Sequence, residues 1–377
     1  FLKRYQDHHL IKVISGVRRC GKSTLFYLYR QYLLNHGVMP EQIITINFED
    51  LAYESLCEYH ALYRYIMERM QADKMNYIFL DEIQHVKNFE KVVDSLFIKD
   101  NADVYITGSN AYFMSGDLAT LLTGRYVELS MLPLSFREFS QGMTGDMSLS
   151  EQYNAYIRIS SFPYALQFQD DFQAVEEYLS GIYNTILVKD TLRRMRSSDT
   201  MMVESLMKFL AANIGSLISP NKIANSMTSA GRKIDNKTVE KYLQGLKDSL
   251  LIYQADRFDV RGKQLLKINA KYLVDPAFRR LLINDTGRDT GHILENVVYL
   301  ELLRRGDKVY VGQLPRGEID FVVEKSGTRE YYQVAESTLL PEVLERELKP
   351  LQSVPDQYPK YLLTLDEIAP EADYDGI

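Results

Sequence analysis

The stretch GVRRCGKS at positions 16–23 constrains this chain more than any other feature. A short β-type run precedes it, and a segment with apolar residues at helical spacing follows it. A strand, a glycine-rich loop and a helix in this order form the context in which the pattern G-x-x-x-x-G-K-[ST] binds phosphate groups. Backbone N–H groups and the positive end of the helix attract the phosphates. The sequence therefore predicts a nucleotide-binding loop made of Gly16, Val17, Arg18, Arg19, Cys20, Gly21, Lys22, Ser23 and Thr24.

A second motif, YIFLDEIQ at positions 77–84, places two adjacent acids directly after four β-favouring residues. Lys22 is expected to reach the β- and γ-phosphates, while Ser23 and Asp81 hold Mg²⁺. Glu82 stands where it can polarise the attacking water, which makes it the candidate general base. The alternative, two solvated carboxylates that cap a strand, loses weight after a phosphate loop. Because the metal does not need the second carboxylate, the acid pair favours hydrolysis over binding alone.

A fourth strand is predicted in the run VYITGSNA at positions 104–111, which ends in small polar residues. Ser109 and Asn110 are the candidate sensors of the γ-phosphate, with a plain turn as the alternative, and Thr107 is the weaker candidate because it lies within the strand. Arg125 stands just before a fifth strand. It is a candidate arginine finger for the γ-phosphate of a neighbouring subunit, with a surface arginine as the alternative.

The phosphate loop, the Asp-Glu pair, TGSNA and the later runs GRYVEL and PLSFREF together resemble the prokaryotic AAA-superfamily ATPases that carry a C-terminal domain of unknown function. The resemblance covers nearly the whole chain. It implies a parallel sheet of strand order 5-1-4-3-2 between helices, with ATP as the nucleotide. The family usually has two glycines where this chain has Ser160 and Ser161. Compared with the family, the chain is expected to be trimmed at both ends.

The segment 201–280 predicts a winged helix-turn-helix, because a helix, a short helix, a longer helix and a hairpin follow one another. Between positions 222 and 271 there are 11 Lys/Arg and 5 Asp/Glu, a local balance of +6 (11 − 5) in a chain whose net charge is −7. Double-stranded DNA is therefore a candidate partner, with a protein partner as the alternative. The predicted nucleic-acid contacts are Lys237, Thr238 and Lys241 on the recognition helix and Arg257, Arg261 and Lys263 on the wing.

The C-terminal segment resembles the core of PD-(D/E)xK nucleases, in which carboxylates from a helix and a hairpin converge on Mg²⁺. Glu295 takes the place of the helix acid and Asp320 that of the first strand acid. Gln333 stands at the second acid position and Ala335 at the lysine position. Glutamine is a weak neutral ligand and alanine cannot assist proton transfer. The resemblance therefore implies a degenerate site, in a domain that is kept for binding or assembly.

The sequence predicts an α/β protein in four parts: a P-loop NTPase domain with an AAA-type parallel sheet (1–142), a helical linker region (143–200), a winged helix (201–280) and an α/β nuclease-like domain (281–377). The predicted function is Mg²⁺-dependent ATP binding and hydrolysis, coupled to conformational change of a DNA- or protein-binding C-terminal region. A nucleotide-gated binding switch with little turnover and an ATP-gated nuclease are the alternatives.

The setting of the protein is predicted from what the sequence lacks. It contains no apolar run of 18 residues, so no membrane span is expected. Its two cysteines, Cys20 and Cys57, form no metal motif and no disulfide framework, which favours a reducing, cytoplasmic setting. If Arg125 acts as a finger, the protein forms at least dimers during turnover.

Overall fold

The computed structural model describes residues 1–109, 122, 124–192, 195, 199–262, 264–283, 290–325, 327–367, 373, 374, 376 and 377. The chain divides into two compact units. The first comprises Phe1–Pro133 with Asp248–Leu250, and the second comprises Leu134–Lys247 with Leu251–Ile377. None of the described helices combines the length and the apolar character that a bilayer crossing requires.

The first unit is built on a five-stranded sheet in the order β2-β3-β4-β1-β5, in which all neighbouring strands are parallel. This is the order 5-1-4-3-2 that the family resemblance implies. The strands are β1 (Ile11–Gly16), β2 (Ile43–Asn47), β3 (Asn76–Asp81), β4 (Ala102–Ser109) and β5 (Tyr126–Met131). The longer helices of this unit are α1 (Lys22–Asn35), α2 (Tyr59–Met67) and α3 (Phe89–Phe97).

The strand β3 shows why the central strands of this sheet have continuous apolar sequences. All of its residues are buried, because both faces of a parallel sheet are covered. Ile78 and Leu80 pack into the core on one face, while Tyr77 and Phe79 pack into the core on the other. The strand ends at Asp81, so the acidic motif lies at the carboxyl edge of the sheet, where ligands bind in open α/β folds.

The second unit contains nine of the described α-helices and a mixed sheet. The helices are α4 (Phe136–Gly142), α5 (Leu149–Ile159), α6 (Phe172–Thr185), α7 (Thr200–Ala212), α8 (Pro220–Ser229), α9 (Asn236–Asp248), α10 (Ala277–Leu282), α11 (Thr290–Arg304) and α12 (Pro341–Gln352). The strands are β6 (Ile252–Asp259), β7 (Gln264–Leu273), β8 (Lys308–Gln313), β9 (Glu318–Lys325), β10 (Thr328–Ala335) and β11 (Lys360–Thr364).

The hairpin that was expected to form a separate wing belongs to this sheet. The six strands have the order β11-β10-β9-β8-β6-β7. β6 pairs antiparallel with β7 on one side and parallel with β8 on the other, with Asp256 opposite Tyr310. A single sheet therefore runs across residue 280, where the sequence analysis separates a winged helix from a nuclease-like domain.

Ser160 and Ser161, which stand where the family resemblance implies two glycines, form a buried polar cluster in the second unit. Ser160 has φ +140°, a region that favours glycine. Its hydroxyl and that of Ser161 donate hydrogen bonds of 2.7 and 2.6 Å to the carboxylate of Asp275, which is 0% exposed. Burial raises the pKa of Asp275, and the hydrogen bonds from the serines oppose the rise. The hydroxyls thus stabilise a buried acid that glycines would leave with fewer partners.

Candidate nucleotide-binding site

The loop between β1 and α1 has the backbone that its glycines predict. A Cβ at Gly16 would collide with the carbonyl oxygen of Met131 on β5. Gly21 caps the start of α1 with φ +104°, which side-chain-bearing residues rarely adopt. Burial raises the pKa of the Cys20 thiol, which keeps it protonated inside the loop. The loop therefore curls tightly at the amino end of α1, where backbone N–H groups can face an anion.

Lys22 is the cation at the centre of this loop. It is only 5% exposed, and its Nζ donates hydrogen bonds of 3.3 Å to the carbonyl oxygens of Gly16 and Val17. The same atom lies 3.5 Å from Oε1 of Glu82. The phosphate loop and the acidic motif thus meet at Lys22.

Thr107 on β4 connects both acids of the second motif. It is fully buried, and its Oγ1 donates a hydrogen bond to Asp81 and accepts one of 2.9 Å from the backbone N–H of Glu82. The sequence predicts Thr107 as a weaker sensor candidate than Ser109 or Asn110, because it lies within the strand. The alternation of side chains along β4 could have indicated the position of Thr107, because β4 pairs directly with the strand β3 that carries the acids.

The side chains of Ser23 and Asp81 fit a Mg²⁺ site. Burial raises the pKa of Asp81, and hydrogen bonds from Ser23 and Thr107 oppose the rise. The hydroxyl of Ser23 lies near enough to Asp81 to lower the pKa of its carboxyl group, and both side chains offer the hard oxygen ligands that Mg²⁺ prefers. The two residues that the sequence assigns to the metal are brought together.

Glu82 stands in a turn with several polar neighbours. Its backbone is left-handed (φ 55°, ψ 46°), and Nε2 of Gln84 donates a hydrogen bond to its Oε2. Ligand atoms of Glu49, Glu82 and His85 all lie within 4.8 Å of one another, so this trio is a second group that could hold a cation. Arg18 lies 3.2 Å from the carboxylate of Glu49. Glu49, Gln84 and His85 are not among the site residues that the sequence predicts, although Glu49 follows the end of β2 beside β3.

The remaining predicted residues of the nucleotide site have different placements. The guanidinium of Arg125 lies 3.6 Å from Asp94 and 5.4 Å from the ring centre of Phe97, with 46% of its side chain exposed. Ser109 is the last residue of β4, whereas Asn110 lies outside the described residues.

The cavity at the predicted nuclease site has a volume of about 640 Å³ and is lined by Glu295, Asp320, Gln333 and Glu347. Burial and the charge of Glu295 raise the pKa of Asp320, which accepts a 2.7 Å hydrogen bond from the backbone of Val334. Nε2 of Gln333 donates a 3.0 Å hydrogen bond to Glu347 on α12. Glu347 was missed by sequence reasoning because no local pattern links α12 to β10.

Two lysines near the start of α9 are accessible. Lys237 and Lys241 are exposed. Asp235 caps the start of this helix, because its carboxylate accepts hydrogen bonds of 2.9 and 3.1 Å from the N–H and the hydroxyl of Thr238.

The predicted wing contacts differ among themselves. Arg261 is exposed. Arg257 forms a 2.8 Å ion pair with Glu318 on β9, with only 18% of its side chain exposed. Lys263 lies outside the described residues.

The parallel sheet, the phosphate loop at the end of β1 and the acid pair at the end of β3 define an AAA-type P-loop ATPase fold. Residues 8–140 match the family model of an AAA domain, and residues 150–289 match that of a domain of unknown function, DUF8612.

Over 381 aligned residues the chain is 40% identical to an uncharacterized protein of Haemophilus influenzae, covering 100% of this chain and 94% of that protein. The chain belongs to the same family as this protein. An uncharacterized protein of Methanocaldococcus jannaschii is 29% identical over 334 residues, covering 83% of this chain and 72% of the relative. The Walker-type ATPase of Pyrococcus abyssi has a similar fold, with a TM-score of 0.53 and 17% identity over 74% of this chain and 93% of that one.

Proposed function

We propose that the protein binds ATP with Mg²⁺ and hydrolyses it, and that the reaction drives a conformational change in a C-terminal region that binds DNA. The observation that carries the proposal is the position of Glu82. Its carboxylate lies 3.5 Å from the phosphate-loop lysine, and its backbone N–H is bound by the same threonine that binds Asp81. A second carboxylate at this point can act on a water molecule beside the γ-phosphate.

The roles of the residues follow from their chemistry. Lys22 and the backbone N–H groups of the loop bind the β- and γ-phosphates, and Ser23 and Asp81 hold Mg²⁺, which neutralises charge on the phosphate oxygens. Glu82 accepts a proton from the attacking water. In this scheme Ser109 or Asn110 senses the γ-phosphate, and Arg125 acts on the site of a neighbouring subunit.

The binding step is tested with Lys22→Ala. Mg-ATP at 100 times its Kd should stabilise the wild type by about 2.7 kcal/mol, because the ligand binds only the folded state. The variant should show no such stabilisation and no turnover, since the cation that binds the phosphates is gone. The measurement is thermal unfolding with and without Mg-ATP, beside phosphate release. Lys74→Ala, at an exposed position of the same unit, is the control, and an unchanged ATP effect in Lys22→Ala would refute the proposed site.

The DNA-binding part of the proposal is supported by the exposed lysines of α9. The double variant Lys237→Glu/Lys241→Glu should bind double-stranded DNA at least about tenfold more weakly and lose about two units of salt slope, because each phosphate contact contributes close to one unit. Fluorescence anisotropy at several salt concentrations measures both quantities. Lys308→Glu/Lys349→Glu changes the net charge equally at exposed positions of the same unit. Equal losses in both variants would indicate a general charge effect, and absence of binding by the wild type would favour a protein partner.

Two other functions would leave different signatures. A nucleotide-gated switch would bind Mg-ATP with little turnover under any condition, including added DNA. An ATP-gated nuclease would cut DNA in the presence of Mg²⁺ or Mn²⁺ and lose that activity in Asp320→Ala. Gln333 and Ala335 count against the nuclease, because they remove a charged metal ligand and the lysine that activates water.

A further inference from the structure

The two carboxylate oxygens of Glu82 have different partners. Oε1 lies 3.5 Å from Nζ of Lys22, whereas Oε2 accepts a hydrogen bond from Nε2 of Gln84. A bound triphosphate would compete with Glu82 for Lys22, because the lysine of a phosphate loop binds the β- and γ-phosphates. The amide of Gln84 is neutral and already donates a hydrogen bond to Glu82, so phosphate attracts it less strongly than it attracts the charged Lys22. It is therefore the partner that Glu82 retains when Lys22 turns to the nucleotide.

The backbone of Glu82 is fixed from several sides, which leaves the carboxylate as its adjustable part. The left-handed conformation at Glu82 is held by the 2.9 Å hydrogen bond from its N–H to Thr107. Ile83 is 0% exposed and anchors the turn in the core. The N–H of His85 donates a 3.2 Å hydrogen bond to the carbonyl oxygen of Glu82 and closes the turn. These contacts fix the position of the Glu82 backbone but do not fix the rotation of its carboxylate.

Gln84 is suited to setting that rotation. Its amide is neutral, so it orients the carboxylate without cancelling the charge that a base needs. Its Oε1 is buried and has no donor within the part of the chain that the structure describes. The bond from Nε2 to Glu82 is thus the hydrogen bond that orients the amide, and a buried polar atom without a partner is a feature that functional sites tolerate.

We propose that Gln84 is a positioning residue for ATP hydrolysis, which holds Oε2 of Glu82 so that Oε1 faces the attacking water. The inference rests on the proposed function, since it requires Glu82 to be the base. A reacting group displaced by about 1 Å can lose about 100-fold in rate. The contribution of Gln84 should therefore be seen in kcat and not in the affinity for nucleotide.

The test compares Gln84→Glu and Gln84→Ala in the full chain. Gln84→Glu keeps the size of the side chain but replaces the donor by a second negative charge, so a role in packing alone predicts a nearly normal rate. We expect both variants to lower kcat by roughly 10- to 100-fold, with Kd for a fluorescent ATP analogue and the unfolding temperature close to those of the wild type. Gln31→Ala, an exposed glutamine on α1, should keep the wild-type rate.

The outcomes separate this inference from the proposed function. An active wild type, an inactive Glu82→Gln and a fully active Gln84→Glu would overturn the role of Gln84 alone. A parallel fall of rate, affinity and unfolding temperature in Gln84→Ala would assign the residue to stability and would also overturn it. A wild type without turnover, or a Glu82→Gln variant as active as the wild type, would overturn the proposed base and the role of Gln84 with it.

Discussion

Replacing Glu82 with glutamine is expected to lower kcat for ATP hydrolysis by roughly 10²- to 10⁴-fold, the usual contribution of a general base. The amide has nearly the same shape, so the turn at the end of β3 and its hydrogen bond to Thr107 should persist. Steady-state phosphate release measures the rate. Binding of a fluorescent ATP analogue in the presence of Mg²⁺ shows whether the site is intact.

Nucleotide affinity in Glu82→Gln should equal or exceed that of the wild type. The carboxylate lies 3.5 Å from Nζ of Lys22 and competes with phosphate for this cation. A neutral amide competes less, so Lys22 becomes more available to the phosphates. A variant that loses affinity and rate together would contradict this account, because it would assign Glu82 to binding.

Glu49→Gln is the matched control for the base. Its carboxylate is the other acidic group close to Glu82, with ligand atoms of the two residues within 4.8 Å. It is exposed and paired with Arg18, whereas Glu82 is 8% exposed and faces Lys22. We therefore expect Glu49→Gln to retain most of the turnover. If Glu49→Gln is inactive and Glu82→Gln is active, the base has been assigned to the wrong carboxylate.

The parts of the nucleotide site that the sequence predicts are those formed by neighbours along the chain. The phosphate loop and the Asp-Glu pair each occupy a few consecutive residues, and the strand before each of them fixes its position at the sheet edge. Thr107, Gln84 and Glu49 reach the candidate site through contacts between strands or within a turn. Their positions depend on which strands become neighbours, and the order of strands came from the family resemblance rather than from periodicity.

In the second unit, too, contacts between residues that are distant in sequence could not be predicted from local patterns. The pattern correctly predicts a hairpin at β6 and β7, because the two strands are adjacent in sequence. The pairing of β6 with β8 joins Asp256 to Tyr310 across α10 and α11, and no local pattern encodes it. The position of Glu347 beside Gln333 likewise depends on how α12 packs on the sheet.

The stability of the first unit should depend on a buried ion pair near the amino ends of β1 and β4. Lys12 on β1 is 0% exposed and donates hydrogen bonds to Asp103 on β4 and, at 2.7 Å, to the carbonyl oxygen of His8. Asp103 also accepts hydrogen bonds from the hydroxyl of Tyr105 and the N–H of Asp7, at 2.7 and 3.0 Å. Each oxygen of the Asp103 carboxylate thus accepts at least one hydrogen bond, and the buried ammonium group of Lys12 balances its charge.

Lys12→Met should lower the free energy of unfolding by about 3–5 kcal/mol, because it leaves a buried charge without its partner. Burial raises the pKa of Asp103 and the charge of Lys12 opposes this rise, so the pKa should rise further in the variant. The pKa of Asp103 is higher in the folded state than the unfolded value near 3.8. Below that unfolded value the contribution of Asp103 to the free energy of unfolding is fully present, and it is lost as the pH rises through the folded pKa. Lowering the pH from 7 toward 5 should therefore narrow the gap between Lys12→Met and the wild type.

Urea unfolding of the full chain at pH 7 and pH 5 measures the difference in the free energy of unfolding between Lys12→Met and the wild type. The double variant Lys12→Met/Asp103→Leu should regain much of the loss, because two apolar side chains can replace a buried ion pair at little cost. Lys3→Met, an exposed lysine in the same unit, controls for the loss of a charge. A gap that stays constant with pH, or a double variant as unstable as the sum of the single changes, would show that Lys12 stabilises the sheet by packing of its stem rather than by its charge.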